Sequence, residues 1–109
     1  MPAAGAPGID DVFGVLAHPV RRQLLERLAG GERRVTDLAG PVAVSRSAVS
    51  QHLRLMRSVG VVAERRAGRE RYYRLERDRL GEVESWLMRI DRFWERGFRR
   101  LGEHLDAHP

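Results

Sequence analysis

The segment VSRSAVSQHLRLMRSVGVV, residues 44–62, carries the signature of one amphipathic helix with a defined start and stop. Ser45 has the side chain of a helix N-cap, Ala48, Val49, Leu53 and Met56 recur at helical spacing, and Gly60 stands where a helix ends in the left-handed conformation. Arg46, Ser47, Ser50, Gln51 and Arg54 fall on the opposite, outward face. Beyond Gly60 the period changes from helical to alternating. Val61 to Arg66 and Glu70 to Leu75 read as strands joined by Ala67-Gly68-Arg69, a β-hairpin whose glycine supplies the tight turn. On the second strand Tyr73 and Leu75 share one face and Tyr72 points to the other.

Upstream, Ile9, Val12, Phe13 and Leu16 give the stripe of a first helix over Ile9 to Ala17. Pro19 opens a second helix, continued by Val20, Leu24, Leu25 and Leu28 and stopped by Gly30-Gly31. A short strand at Glu32 to Arg34 is followed by a brief helix, Val35 to Ala39, which Gly40-Pro41 must end because the residue before proline is pushed out of helical angles. Residues 1–8, rich in Ala, Gly and Pro, read as a disordered lead-in, neither signal peptide nor folded element.

Downstream, residues 78–106 form one long helix without proline, with Asp78 as its expected N-cap. At 100° per residue, ten of its eleven large apolar side chains fall within an arc of about 140°, and Met88 alone lies outside. Four of the chain's seven aromatics are here, more apolar surface than two short partner helices can cover. A second subunit is the natural cover. The expected interface comprises Leu87, Ile90, Phe93, Trp94, Phe98 and Leu101 of this helix with Ile9, Val12, Phe13 and Leu16 of the first.

The 109 residues suit a single domain over residues 9–109. Its longest uncharged apolar stretch, Val12 to Ala17, is far short of the roughly 18 residues of a membrane span. No cysteine is present, which excludes disulfides, thiolate metal sites and thiol nucleophiles and suggests the cytoplasm. All 20 basic residues are arginine. Between Val42 and Arg74 there are eight arginines against two glutamates, a local excess of 8 − 2 = +6, whereas the rest of the chain sums to 5 − 6 = −1. A positive field confined to one segment suits a phosphate backbone, where neutralisation releases condensed counterions.

These elements make a winged helix-turn-helix: mainly α with a small β-hairpin wing, in the order α-α-α-α-β-β-α. The helix-turn-helix spans 35–58, the wing 61–75 and a dimerisation helix 78–106. The first turn of the segment Val42 to Ser58 can enter the major groove of duplex DNA. There Arg46 suits guanine, Gln51 adenine, Ser47 and Ser50 base or phosphate, and Arg54 phosphate. Arg65, Arg66, Arg69 and Arg71 of the hairpin, with the Tyr72 hydroxyl, are expected at backbone or minor groove. Thr36, Ser45 and His52 complete the candidate DNA-binding set, His52 bonding either within the domain or to phosphate. His18, before Pro19, is expected to cap or hydrogen-bond between helices. Ser50 and His52, two apart on a helix, point about 200° from each other and cannot share a proton as a catalytic pair. With no glycine-rich phosphate loop or activated nucleophile, the chain does not read as an enzyme.

The stretches FGVLAHPVRRQLLERL (13–28), VTDLAGPVAVSRSAVSQHLRLMRSVGVV (35–62) and GRERYYRL (68–75), over half the chain, resemble the ArsR/SmtB family of bacterial transcription repressors. The resemblance implies a homodimeric repressor of double-stranded DNA, with a pseudo-palindromic operator and an interface built from the first and last helices. It is marked by a departure. Where metal-sensing members carry CVCDL, this chain reads RVTDL, so that Arg34 and Thr36 replace the thiolates. On the last helix Asp91 and His104 have the spacing of a second metal site of the family, but Phe93 and Ala107 stand where its other ligands are expected. The resemblance therefore points to the non-metal-sensing branch, with no cofactor. Gating by metal at Asp91 and His104 or by a small ligand, and a module binding RNA or protein, remain the alternatives.

Overall fold

The computed structural model describes residues 8–40 and 44–107, the side chains of Phe98 and of residues 101–107 excepted. The lead-in expected over 1–8 thus lies, up to residue 7, outside the described residues, as does the Pro41 stop. Helices α1 (Ile9–Leu16) and α2 (Pro19–Leu28) precede a two-residue strand β1 (Arg33–Arg34) and the short helix α3 (Val35–Ala39). Helix α4 (Arg46–Val59), strands β2 (Val62–Ala67) and β3 (Glu70–Leu75), and the 31-residue helix α5 (Arg77–Ala107) complete the chain.

The local signals act as the residues dictate. The Ser45 hydroxyl accepts from the Ala48 N–H at 3.1 Å and starts α4. At the other end Gly60 takes φ +93°, its N–H reaching Arg57 O at 3.0 Å while the Val61 N–H reaches Met56 O at 3.1 Å, a Schellman closure that satisfies the last carbonyls. Between α1 and α2, His18 is the cap: its Nδ1 accepts from the Val20 N–H at 3.2 Å, with Pro19 in the first turn. Arg21 and Arg22 of α2 reach back to the carbonyls of Gly14 and Leu16, at 3.2 and 2.7 Å.

The sheet holds one strand more than the α-α-α-α-β-β-α order expects. It is antiparallel in the order β1-β3-β2, with Arg33 opposite Tyr73 and Arg34 opposite Tyr72. The short strand read at Glu32 to Arg34 thus docks the wing onto the α2–α3 connection. Strand β2 runs one residue further than expected, leaving Gly68-Arg69 as a two-residue turn. Only Gly68 has positive φ, +62°, as a II′ turn requires. Helix α5 begins at Arg77, which places Asp78 inside the first turn rather than at the cap.

Val12 and Val15 of α1, Leu24 and Leu28 of α2, Leu38 of α3 and the Val49, Leu53, Met56 stripe of α4 are all buried in one core. Val61, Val62 and Tyr73 join it from the sheet, with Leu75 packed against it and Tyr72 half-buried on the other face. Among the described side chains of α5 only Val83 is buried, beside a partly buried Leu80. The radius of gyration is 19.2 Å, against about 13 Å for a compact domain of this length. Most of α5 projects from the head.

Candidate nucleic-acid interface

The first turns of α4 meet the β2–β3 turn across a polar cleft of about 360 Å³. Thr36 and Val35 form its α3 wall, Arg46 and Ser50 its α4 wall, and Arg69, Glu70 and Arg71 the wing. Ser47, Gln51 and Arg54 are exposed on the same helix. Ser45 spends its hydroxyl on the cap described above.

Arginines separate into two groups. Among the described residues, Arg46, Arg54, Arg69 and Arg71 make no hydrogen bond or ion pair, and three of these four line the cleft. Arg65 and Arg66, expected at backbone or minor groove, each make an ion pair within the chain. Arg65 donates twice to the Glu32 carboxylate, at 2.6 and 3.3 Å, and its guanidinium lies 4.5 Å over the Tyr72 ring. Arg66 donates to Glu64 at 3.0 Å. The structure therefore brings together Thr36, Arg46, Ser50, Arg69 and Arg71, joins Arg65 and the face of Tyr72 to Glu32 at the base of the wing, and leaves Arg66 75% exposed beside Glu64.

Glu64 is the centre of a further cluster, and sequence reading did not single it out. Its side chain is only 6% exposed, and it accepts from Arg57 of α4 at 3.2 Å, from Arg66 at 3.0 Å and from the Tyr73 hydroxyl at 2.9 Å. The Arg66 hydrogen bond, helped by Tyr73 and the Arg57 charge against the cost of burial, holds the Glu64 carboxyl below its ordinary value. Burial first, then the bond to Glu64, pushes the Tyr73 phenol up. The three-residue turn read from the sequence would set Glu64 opposite Tyr72; the observed two-residue turn sets it opposite Tyr73 instead, and only folding brings Arg57 from α4.

His52 turns inward. Arg21 Nε donates to its Nδ1 at 3.1 Å, and its ring lies 4.6 Å, centroid to centroid, from that of His18. Burial, then the nearby His18 and Arg21, lower its pKa. Its place is the joint between α2 and α4.

Along α5 the interface candidates divide by depth. Leu87, Phe93 and Trp94 are 53%, 72% and 55% exposed, and Ile90 is half-buried. Phe13 packs edge to face on Trp86, with centroids 5.1 Å apart, and Ile9 and Leu16 rest against the core. Val12 is a correction: it is fully buried inside its own chain and has no surface left for a partner. Met88, outside the periodic stripe, nonetheless lines a shallow hollow of about 410 Å³ with Leu87, Ile90 and Trp94. The Phe98, Leu101 and His104 side chains lie outside the described residues; Asp91 is exposed. Among the described residues no three His, Asp or Glu converge on a metal-sized site.

A family model described as "Bacterial regulatory protein, arsR family" matches residues 18–64, from the α2 cap to Glu64. The HTH-type transcriptional regulator Rv2034 of Mycobacterium tuberculosis is 38% identical over 98 residues, covering 90% of this chain and 89% of that protein. The chain belongs to the arsR family. Other family relatives include the transcriptional repressor SdpR of Bacillus subtilis, 29% identical over 80 residues, 73% of this chain and 89% of SdpR. A crystal structure of an ArsR family transcriptional regulator, RHA00566, superposes with a TM-score of 0.74 at 30% identity, covering 80% of this chain and 96% of that one. Membership in the arsR family makes this chain a DNA-binding regulator and not an enzyme. No helix among the described residues is long and apolar enough to cross a membrane.

Proposed function

We propose that this arsR-family regulator is a homodimeric, sequence-specific repressor that binds double-stranded operator DNA through α4 and the wing. The observation that carries the reading is the convergence of three unpaired guanidiniums, Arg46, Arg69 and Arg71, on one cleft beside the N-terminal turns of α4. Helix α4 enters the major groove, where Arg46 takes the O6 and N7 acceptors of a guanine and Gln51 the edge of an adenine. Arg69 and Arg71 neutralise phosphates flanking the groove. Ser47, Ser50, Thr36 and Arg54 add hydrogen bonds around these anchors.

Dimerisation follows from the same physics. One α4 spans too few base pairs to select a site from a genome, whereas a two-fold pair presents two such helices to half-sites about 34 Å apart. The exposed Leu87, Phe93 and Trp94 on the projecting α5 supply the self-complementary apolar face. Site selectivity tests the assignment. On a duplex selected by the protein from a random pool, Arg46→Ala relaxes discrimination at one base pair by about 1–3 kcal/mol, while Arg69→Ala weakens all sequences nearly equally. The reverse pattern means that helix and wing have exchanged roles.

A further inference from the structure

Between residues 32 and 76 the chain has five carboxylates, and four are bound to arginine: Glu32 to Arg65, Asp37 to Arg34, Glu64 to Arg57 and Arg66, and Glu76 to Arg74. Glu70 is the exception. It is half-buried in the wall of the cleft, opposite Ala67 at the wing turn and between Arg69 and Arg71 in sequence. Yet among the described residues no side chain donates to its carboxylate, although three guanidiniums line the same cleft; Arg34, bonded to Asp37, reaches it only through its charge. A surface made only to hold phosphate would be stronger without this charge.

We propose that Glu70 is a specificity-determining residue, which opposes binding to the phosphate backbone alone and gains a hydrogen-bond donor where the duplex turns a base amino group towards it. The proposal rests on the DNA-binding reading above. Sequence-independent binding is essentially phosphate neutralisation, so a carboxylate in the arginine cleft weakens it wherever the protein lands. At roughly 7 Å in a water-like dielectric, repulsion between carboxylate and phosphate corresponds to about a threefold loss of affinity per protomer. In the sequence-specific complex the same oxygen atoms can accept from an exocyclic amino group, cytosine N4 in the major groove, which no phosphate offers. Glu70 thereby widens the gap between the operator and the rest of the genome while lowering absolute affinity.

The test is Glu70→Gln, which keeps the side-chain size and the strand register and removes the charge. Its affinity is measured by fluorescence anisotropy on two labelled duplexes: one selected by the wild-type protein from a random pool, and a scrambled duplex of the same composition. Glu95→Gln, an exposed carboxylate on α5 away from the cleft, makes the same change in net charge and serves as the control. Affinity of Glu70→Gln for the scrambled duplex is expected to rise about threefold or more, with no rise on the selected duplex, so that the ratio of the two affinities falls. Glu95→Gln should keep the wild-type ratio. An equal rise on both duplexes, or no rise on the scrambled one, overturns the role assigned to Glu70. Wild-type protein that binds neither duplex is a different failure, since it removes the DNA-binding reading itself and the proposal with it.

Discussion

Glu64→Ala should be one of the most damaging single changes outside the apolar core, although it deletes no apolar surface. The truncation leaves the Tyr73 hydroxyl without its acceptor in a residue only 1% exposed. An unsatisfied buried hydroxyl costs about 1–3 kcal/mol. Two ion pairs are lost as well, with Arg57 and Arg66. These guanidiniums are 58% and 75% exposed, so each pair is worth only about 0.2–1 kcal/mol. Together the loss is about 2–4 kcal/mol, equivalent to roughly 10–25 °C in melting temperature for a domain of this size. Urea denaturation followed by circular dichroism at fixed protein concentration measures it, with an unchanged slope showing that the midpoint reports stability. Tyr73→Phe should cost about 1 kcal/mol alone and much less on top of Glu64→Ala, because the shared bond is already gone. If Glu64→Ala falls within about 0.5 kcal/mol of wild type, as an ordinary surface change does, the buried hub does not exist as described.

Acid should loosen the joint between α2 and α4. His52 accepts from Arg21 only while Nδ1 is unprotonated, and its lowered pKa means that the folded state binds fewer protons than the unfolded one. The stabilisation is therefore full above the ordinary histidine value of about 6.5 and lost as pH falls through the lowered one. His52→Gln, whose carbonyl can accept the same bond, should flatten the dependence of the urea midpoint on pH between about 7.5 and 5; an unchanged slope would count against this bond. Gly60→Ala should cost about 1 kcal/mol or more, because φ is +93°, a conformation that an L side chain strains; a denaturation midpoint equal to wild type would contradict it. Phe93→Ala with Trp94→Ala removes side chains 72% and 55% exposed within one chain, so monomer folding should change little while the dimer dissociation constant rises by about 100-fold or more. Sedimentation equilibrium checks this, and an unchanged association constant would refute the proposed α5 interface.

What the sequence showed and withheld follows from the range of the forces involved. Residues 44–62 were legible because their signals are local: a capping serine, a 3.6-residue stripe and a glycine that alone tolerates positive φ at residue 60. The hairpin was legible for the same reason. Pairing of β1 with β3 was not, because a two-residue strand has no period of its own and exists only through Tyr72 and Tyr73, almost forty residues away. Charge composition located the basic segment but could not sort it. Arg65 and Arg66 look as free as Arg69 and Arg71 in sequence, and only folding brings Glu32 to the first and turns Glu64 towards the second. Periodicity likewise placed Val12 on an interface face, when that face is consumed by its own core.

On the proposed reading the unpaired guanidiniums at the wing turn, rather than Arg65 paired with Glu32 further down the wing, meet the phosphates of duplex DNA. This is tested most directly by the slope of log affinity against log salt for Arg69→Ala beside Arg65→Ala, on one duplex selected by the wild-type protein. Each phosphate contact contributes about 0.9 to that slope. The prediction is a slope shallower by about 0.9 per protomer for Arg69→Ala, and unchanged for Arg65→Ala, whose guanidinium is held by Glu32 at 2.6 Å. A full slope in Arg69→Ala together with a shallower one in Arg65→Ala would contradict it.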